Sequence, residues 1–329
     1  MIWLQFLFSG IVIVLAAIQL SKYADAIALR TGLGRLFIGA LLLSSVTSLP
    51  EVLTTINSFS QGVPNLAAGN LVGSNMFNML LIAVADLASR NTRILRKIAM
   101  RHALSGSLTM LMITLVVFFI VANIDVQIGW VGLDSILIIA VYIGAVKILQ
   151  SGSVVPPPET VEEELDETVP SMLRAVIGFS LAALVLVFIS PVLVSSSSAI
   201  AEVTGLGTSF VGTTLVAMMT SLPEVVATIS LVRMGAEDMA IGNLFGSNMF
   251  NMFAMGLVDF FYLPGRFFGV IDPSFVIVGL LGLIMTGLAL VGNLAKLERR
   301  IFIFEIDATL IVLVYFGGLA FLYSQGIAP

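Results

Sequence analysis

Glu51 and Glu224 are the residues of this chain best placed to do chemistry. Each stands directly after a proline in the pentapeptide Thr-Ser-Leu-Pro-Glu, which occurs at 47–51 and again at 220–224. Both copies interrupt stretches otherwise apolar enough to cross a membrane. A proline inside a helix removes one backbone donor, and its ring pushes away the carbonyl four residues earlier. Pro50 thus frees the carbonyl of Val46 and Pro223 that of Met219, with the Thr47 and Thr220 carbonyls expected to leave the ladder beside them. An ionised carboxylate at the bilayer centre costs from about 2.5 kcal/mol upward unless it is paired, and neither pentapeptide holds a Lys or Arg. The simplest partner is a bound cation. Two carboxylates balance one divalent ion, two monovalent ions or two protons.

A second motif supplies neutral oxygens. Gly-Asn-Leu-Val-Gly-Ser-Asn-Met-Phe-Asn at 69–78 returns at 242–251 with one change. Asn70, Ser74 and Asn78 are spaced at four, which keeps them on one helix face, and Gly69 and Gly73 allow a neighbouring helix to approach closely. The candidate ligands are the hydroxyls of Ser48, Ser221, Ser74 and Ser247 and the amides of Asn70, Asn243, Asn78 and Asn251. An all-oxygen set with two carboxylates suits hard cations, calcium in particular. Without sulfur or histidine, it argues against zinc, copper or nickel. Met76, Phe77 and Met79 fall mostly off this face and read as packing.

The elements that must position these groups are membrane helices. Hydrophobic residues make up 58% of the 329 and charged residues 11%, with a mean hydropathy of +1.09, too apolar for a soluble globule. Stretches of about 20 apolar residues suffice to span the hydrocarbon core. They fall near 2–20, 36–58, 65–87, 103–122, 130–149, 172–194, 209–231, 238–260, 274–294 and 302–323. The first lacks the basic start and small-residue cleavage site of a signal peptide and reads as a retained span. With the N-terminus outside, the inner side holds Lys22, Arg30, Arg35, Arg90, Arg93, Arg96, Lys97, Arg101, Lys147, Arg174, Arg233, Lys296, Arg299 and Arg300, and the outer side only Arg266. That asymmetry predicts ten spans with both termini outside. Residues 156–168, with three prolines and six carboxylates, have no helical apolar face and read as a solvated stretch. The expected organisation is a first five-span repeat at 1–150, an acidic cytoplasmic linker at 151–171 and a second repeat at 172–329. The chain has no cysteine, which excludes disulfides and thiol chemistry.

The two halves are one duplicated unit. Thr31–Ile56 aligns with Thr204–Ile229 and Gly69–Met79 with Gly242–Met252, both at an offset of 173 that also carries Asp86 onto Asp259, Asp134 onto Asp307 and Tyr142 onto Tyr315. An odd number of spans per unit makes the second enter the membrane in the opposite sense. Transporters built from such inverted repeats place their site near the bilayer midplane, where discontinuous helices meet.

The doubled Thr-Ser-Leu-Pro-Glu and Gly-Asn-x-x-Gly-Ser-Asn-x-x-Asn motifs, inside two five-span repeats, resemble the alpha-repeats of the cation/calcium antiporter superfamily, closest to its sodium/calcium exchanger branch in prokaryotic form. The resemblance covers the entire transmembrane chain. It implies an antiporter that works by alternating access, with sodium and calcium competing for one central group of sites. It further implies that Glu51 and Glu224 coordinate calcium and share in sodium binding, with the backbone carbonyls of Thr47 and Thr220 completing the calcium site. Ser48, Ser74, Ser221 and Ser247 would serve flanking sodium sites, and Asn78 and Asn251 would line the centre. Two positions depart from the family wording: Val46 and Met219 stand where Gly is common, and Asn251 where some relatives carry Asp. Asn at both central places favours independence from potassium.

Several readings stay open. A proton/calcium antiporter is the main rival, a carrier of magnesium or manganese comes next, and a cation channel ranks behind both. No enzyme motif occurs, and no cofactor, nucleic acid or protein partner is implied; the expected partners are calcium, sodium and the lipid bilayer. Asn70 and Asn243 either ligate directly or hold broken backbone. Asp134 and Asp307 suit the first turn of a helix, where the dipole favours an acid. Asp86, Asp259 and His102 are expected to be solvated or to face headgroups, and the four serines at 195–198 to end a span. The short linker and lack of targeting signals point to a prokaryotic plasma membrane.

Overall fold

The computed structural model describes residues 1–60, 62–88, 94–152, 169–205, 218–294, 300–301 and 304–326. The acidic run 156–168 and the basic residues Arg90, Arg93, Lys296 and Arg299 lie outside the described residues. The fold is almost wholly helical. In chain order the helices are α1 Ile2–Thr31, α2 Arg35–Ser60, α3 Pro64–Ala88, α4 Ile94–Ala122, α5 Leu133–Gly152, α6 Met172–Val203, α7 Leu222–Arg233, α8 Glu237–Val258, α9 Phe275–Leu294 and α10 Ile306–Ser324. Residues 206–217, ahead of α7, lie outside the described set. The ten helices form two five-helix repeats of opposite sense in a multi-pass membrane protein.

α1 and α6 are longer than their apolar stretches predict. The alanine-rich segment 21–31 favours helix and carries α1 on to Thr31. There Gly32, at φ 67°, closes the helix by donating its N–H to the Ala28 carbonyl. Thirty residues span about 45 Å, more than the hydrocarbon thickness, which tilting accommodates. α6 runs to Val203 rather than ending near 194, so the four serines are helix, not its terminus. Ser195 donates to the Val192 carbonyl, and Ser196 and Ser197 to that of Leu193, so their hydroxyls are satisfied without leaving the ladder.

Packing follows the repeat. α1 lies along α6 at one flank, α4 along α9, and α3 and α8 sit at the centre, with α5 against α8 and α10 against α3. Each contact has its copy 173 residues away. At the α4–α9 interface a Cβ on Gly106 would stand 2.6 Å from Leu290 Cδ2, and one on Gly279, the repeat mate of Gly106, 2.6 Å from Val117 Cγ2, Val117 being the mate of Leu290. The two hairpins, Gln127–Ile128 with Val131–Gly132 and Arg300–Ile301 with Phe304–Glu305, are likewise mates and lead into α5 and α10.

The acids expected in solvent are inside. Asp259, at the end of α8, is fully buried and accepts the backbone N–H of Gly132 at 2.7 Å and of Phe267 at 2.6 Å. Its mate Asp86 is buried too. Asp134 does sit in the first turn of α5, capping Ser135 N at 2.9 Å, but it also pairs with Arg266 Nη1 at 2.7 Å, both side chains being buried. His102 is buried against α8, with Nε2 3.4 Å from Asp238 Oδ1. These polar groups go inside because loop backbone and charged partners meet them there. A single sequence does not display such long-range partners.

Candidate cation-binding site

α2 is not one regular helix. It opens as an α-turn at Arg35–Phe37, widens to a π-helix over Ile38–Leu43, resumes as α-helix at Ser44–Thr47, breaks at Ser48 and continues from Leu49 to Ser60. Ser48 sits at φ −89°, ψ 3°, and its mate Ser221 at φ −85°, ψ 10°. The break therefore occurs in both copies with Val46 and Met219 in place of glycine. The π segment lies where α2 backbone touches α8. A Cβ on Gly242 would stand 2.7 Å from the Leu36 carbonyl oxygen, and one on Gly246 2.3 Å from that of Ala40. The glycines of the second motif are thus what admit α2 to α8.

Each break carries its glutamate into the interior. Glu51 and Glu224 are 1% and 0% exposed. The serine of each pentapeptide reaches across to the other half's carboxylate: Ser221 Oγ donates to Glu51 Oε1 at 2.9 Å, and Ser48 Oγ to Glu224 Oε1 at 3.0 Å. Ser74 Oγ lies 3.1 Å from Ser221 Oγ, and Ser247 Oγ 3.5 Å from Glu224 Oε1. Thr47 Oγ1 donates to Asn243 Oδ1 at 3.4 Å, and Thr220 Oγ1 to Asn70 Oδ1 at 3.2 Å. Every serine, threonine and glutamate named as a candidate ligand is buried in this one cluster.

The asparagines divide into two groups. Asn70 is committed to protein: its Nδ2 donates to the Glu51 backbone carbonyl at 3.0 Å and to Thr55 Oγ1 at 3.3 Å, while its oxygen accepts from Thr220. Its arrangement is that of a brace for the α2 break. Asn78 and Asn251 lie deeper along α3 and α8, where Asn78 Nδ2 donates to Asn248 Oδ1 at 2.9 Å and Asn251 Nδ2 to Asn75 Oδ1 at 3.1 Å. Asn75 and Asn248 escape the four-residue spacing used to choose candidates. The signal that could have found them is the duplication itself, since residues 173 apart in an inverted repeat meet across the axis. They do meet, each donating its amide to the other's backbone carbonyl at 3.2 Å. Met76 and Met79 are buried in the apolar core, as packing residues.

What remains unsatisfied defines the chemistry. Among the described residues, four oxygens of the two motifs, Glu51 Oε2, Glu224 Oε2, Asn78 Oδ1 and Asn251 Oδ1, are buried without a hydrogen-bond partner, as is one donor, Asn243 Nδ2. A buried acceptor without a partner costs about 1–3 kcal/mol, more when charged. Here four such oxygens form two repeat-related pairs, and no ion pair to either glutamate occurs among the described residues. A cation that prefers oxygen ligands fits this set.

Known proteins resemble the chain throughout. The sodium/calcium exchanger protein family matches residues 1–149 and 174–323. Inner membrane protein YrbG of Escherichia coli (strain K12) is 28% identical over 80% of this chain and 80% of its own. Sodium/calcium exchanger MaX1 of Methanosarcina acetivorans is 27% identical over 73% of this chain and 77% of its own. Among solved structures, the sodium-calcium exchanger NCX_Mj soaked with sodium and strontium superimposes with a TM-score of 0.71 at 21% identity, over 97% of this chain and 99% of that one, and so has the same fold.

Proposed function

Because the chain belongs to the sodium/calcium exchanger protein family, we propose that this cation/calcium antiporter exchanges calcium for sodium by alternating access at the Glu51–Glu224 site. The family is one of transporters, not enzymes. The observation that carries the reading is that unpartnered buried oxygens, four of them and two carboxylate, outnumber the one unpartnered donor, Asn243 Nδ2, in a cluster with no cationic side chain among the described residues. In this reading Glu51 and Glu224 ligate calcium with the Thr47 and Thr220 carbonyls, Asn78 and Asn251 line the centre, and Ser48, Ser74, Ser221 and Ser247 serve sodium beside it. Calcium accepts six to eight oxygens in flexible geometry, and two sodium ions balance the same two charges. Asn70 braces the α2 break through the Glu51 carbonyl, while Asn243 accepts from Thr47 across the repeat axis.

A charged, cation-free centre is costly in low dielectric. Binding of sodium or calcium neutralises the pair, and only then do α1 and α6, which lie together and touch α2 and α7, shift past the core. The chain sits in a prokaryotic plasma membrane with both termini outside. In that orientation Arg266, the single outer basic residue, is tied to Asp134, so positive charge in solvent is confined to the inner side. No resident cofactor takes part; calcium and sodium are cargo. The repeat boundaries at 150 and 172 leave the linker 151–171 as a tether on the inner side.

The test is radioactive calcium uptake into sodium-loaded proteoliposomes, compared with vesicles holding only a pH gradient, the membrane potential being clamped in both. Uptake that requires internal sodium is the expected result. Uptake driven by protons alone would replace sodium with protons as the coupling ion.

A further inference from the structure

We propose that Asn75 and Asn248 are positioning residues that set the polarity of the site, obliging Asn78 and Asn251 to face the cation with oxygen rather than with NH2. The inference rests on the cation-binding reading of the Glu51–Glu224 cluster. Its logic starts from a group with one possible role: a backbone carbonyl can only accept a hydrogen bond. The Asn75 amide lies 3.2 Å from the Asn248 carbonyl oxygen and so must present its NH2 there. Its Oδ1 is left to accept, and the amide facing that oxygen, Asn251 at 3.1 Å, must present NH2 in turn. The remaining face of Asn251 is oxygen. The same sequence of constraints runs from the Asn75 carbonyl through Asn248 at 3.2 Å to Asn78 at 2.9 Å.

Both chains of constraint end on the atoms that lack partners among the described residues, Asn78 Oδ1 and Asn251 Oδ1. All four asparagines are buried, so each amide takes its orientation from protein neighbours. An asparagine free to turn over would present a donor to the cation in one of its two orientations, replacing attraction by repulsion. The cross-linked arrangement also joins α3 to α8 through polar bonds that require both copies, making the four amides one unit at the axis. Partners that orient a ligand in this way typically govern metal affinity by 10- to 100-fold.

The experiment measures calcium binding by titration calorimetry, and cation-free melting temperature, on the full chain in detergent, for wild type, Asn75→Ala, Asn248→Ala and Asn248→Asp. Aspartate at 248 still accepts from Asn78 but cannot donate to the Asn75 carbonyl. We expect the alanine variants to bind calcium at least about 10-fold more weakly, with Asn248→Asp well above Asn248→Ala in affinity although both lose the bond that Asn248 donates to the Asn75 carbonyl. Affinity in all three variants that simply follows melting temperature would overturn the proposal, as would wild-type affinity in folded alanine variants. If the alanine variants do not fold, Asn75→Ser and Asn248→Ser take their place, since a hydroxyl packs in the cluster without dictating polarity. Glu51→Gln and Glu224→Gln serve as the reference: undiminished binding in both would remove the site itself, whereas loss there with no loss in the asparagine variants would remove only this inference.

Discussion

Ser48 donates its hydroxyl to Glu224 Oε1 at 3.0 Å across 176 residues of chain, and Ser221 returns the bond to Glu51 at 2.9 Å. Each half of the molecule therefore holds the other half's carboxylate. Neither copy of the pentapeptide completes its side-chain hydrogen bonds within its own repeat.

In the proposed exchange, removing these hydroxyls should separate the two cargoes. Ser48→Ala and Ser221→Ala leave both carboxylates in place but delete oxygens assigned to sodium. Sodium should displace bound calcium only at several-fold higher concentration in each variant, while calcium affinity itself changes less than tenfold. Competition of sodium against radioactive calcium on purified protein measures both.

Asn251→Asp adds a third carboxylate and takes away the donor that meets Asn75 Oδ1 at 3.1 Å. Loss of a buried hydrogen bond and the facing acceptors should lower cation-free stability by about 1–3 kcal/mol, with added calcium restoring it. Cation preference should change, including a response to potassium. An unaltered selectivity profile would leave Asn251 without a role in choosing the ion.

Arg266 and Asp134 anchor the loops away from the site, and their pair is buried. Truncating one partner strands a charge, for which about 3–5 kcal/mol of destabilisation is typical. Arg266→Ala should therefore lower the melting temperature strongly, whereas Arg266→Met combined with Asp134→Leu should recover much of the loss. Calcium affinity of the folded fraction should match wild type in both.

Gly246→Ala would set a Cβ 2.3 Å from the Ala40 carbonyl oxygen, backbone against backbone. α2 must then move off α8, and exchange should fall by an order of magnitude or more. Gly144→Ala, where a Cβ meets nothing within 4 Å, is the matched control and should transport normally in the same uptake assay.

How legible all this was in the sequence depends on the range of the interaction. The ten spans, the inverted repeat and the glutamate, serine and threonine cluster followed from composition, duplication and the proline beside each acid, because those signals are local or repeat at a fixed offset. The π-helix over Ile38–Leu43 left no local mark; it reflects how closely α2 approaches Gly242 and Gly246. Asn75 and Asn248 were hidden by an argument from one helix face, when the relevant neighbour was the same residue in the other copy. Asp259 and His102 looked solvated because their partners, Gly132, Phe267 and Asp238, lie on other elements.

The central claim is that Glu51 and Glu224 together hold the transported cation. Equilibrium binding of radioactive calcium to the purified wild-type chain, Glu51→Gln and Glu224→Gln tests it most directly, with each variant's cation-free melting temperature recorded alongside. Saturable, sodium-displaceable binding in wild type and its loss in both variants, without a matching fall in melting temperature, is the expected result. Wild-type binding in either folded variant would contradict the account.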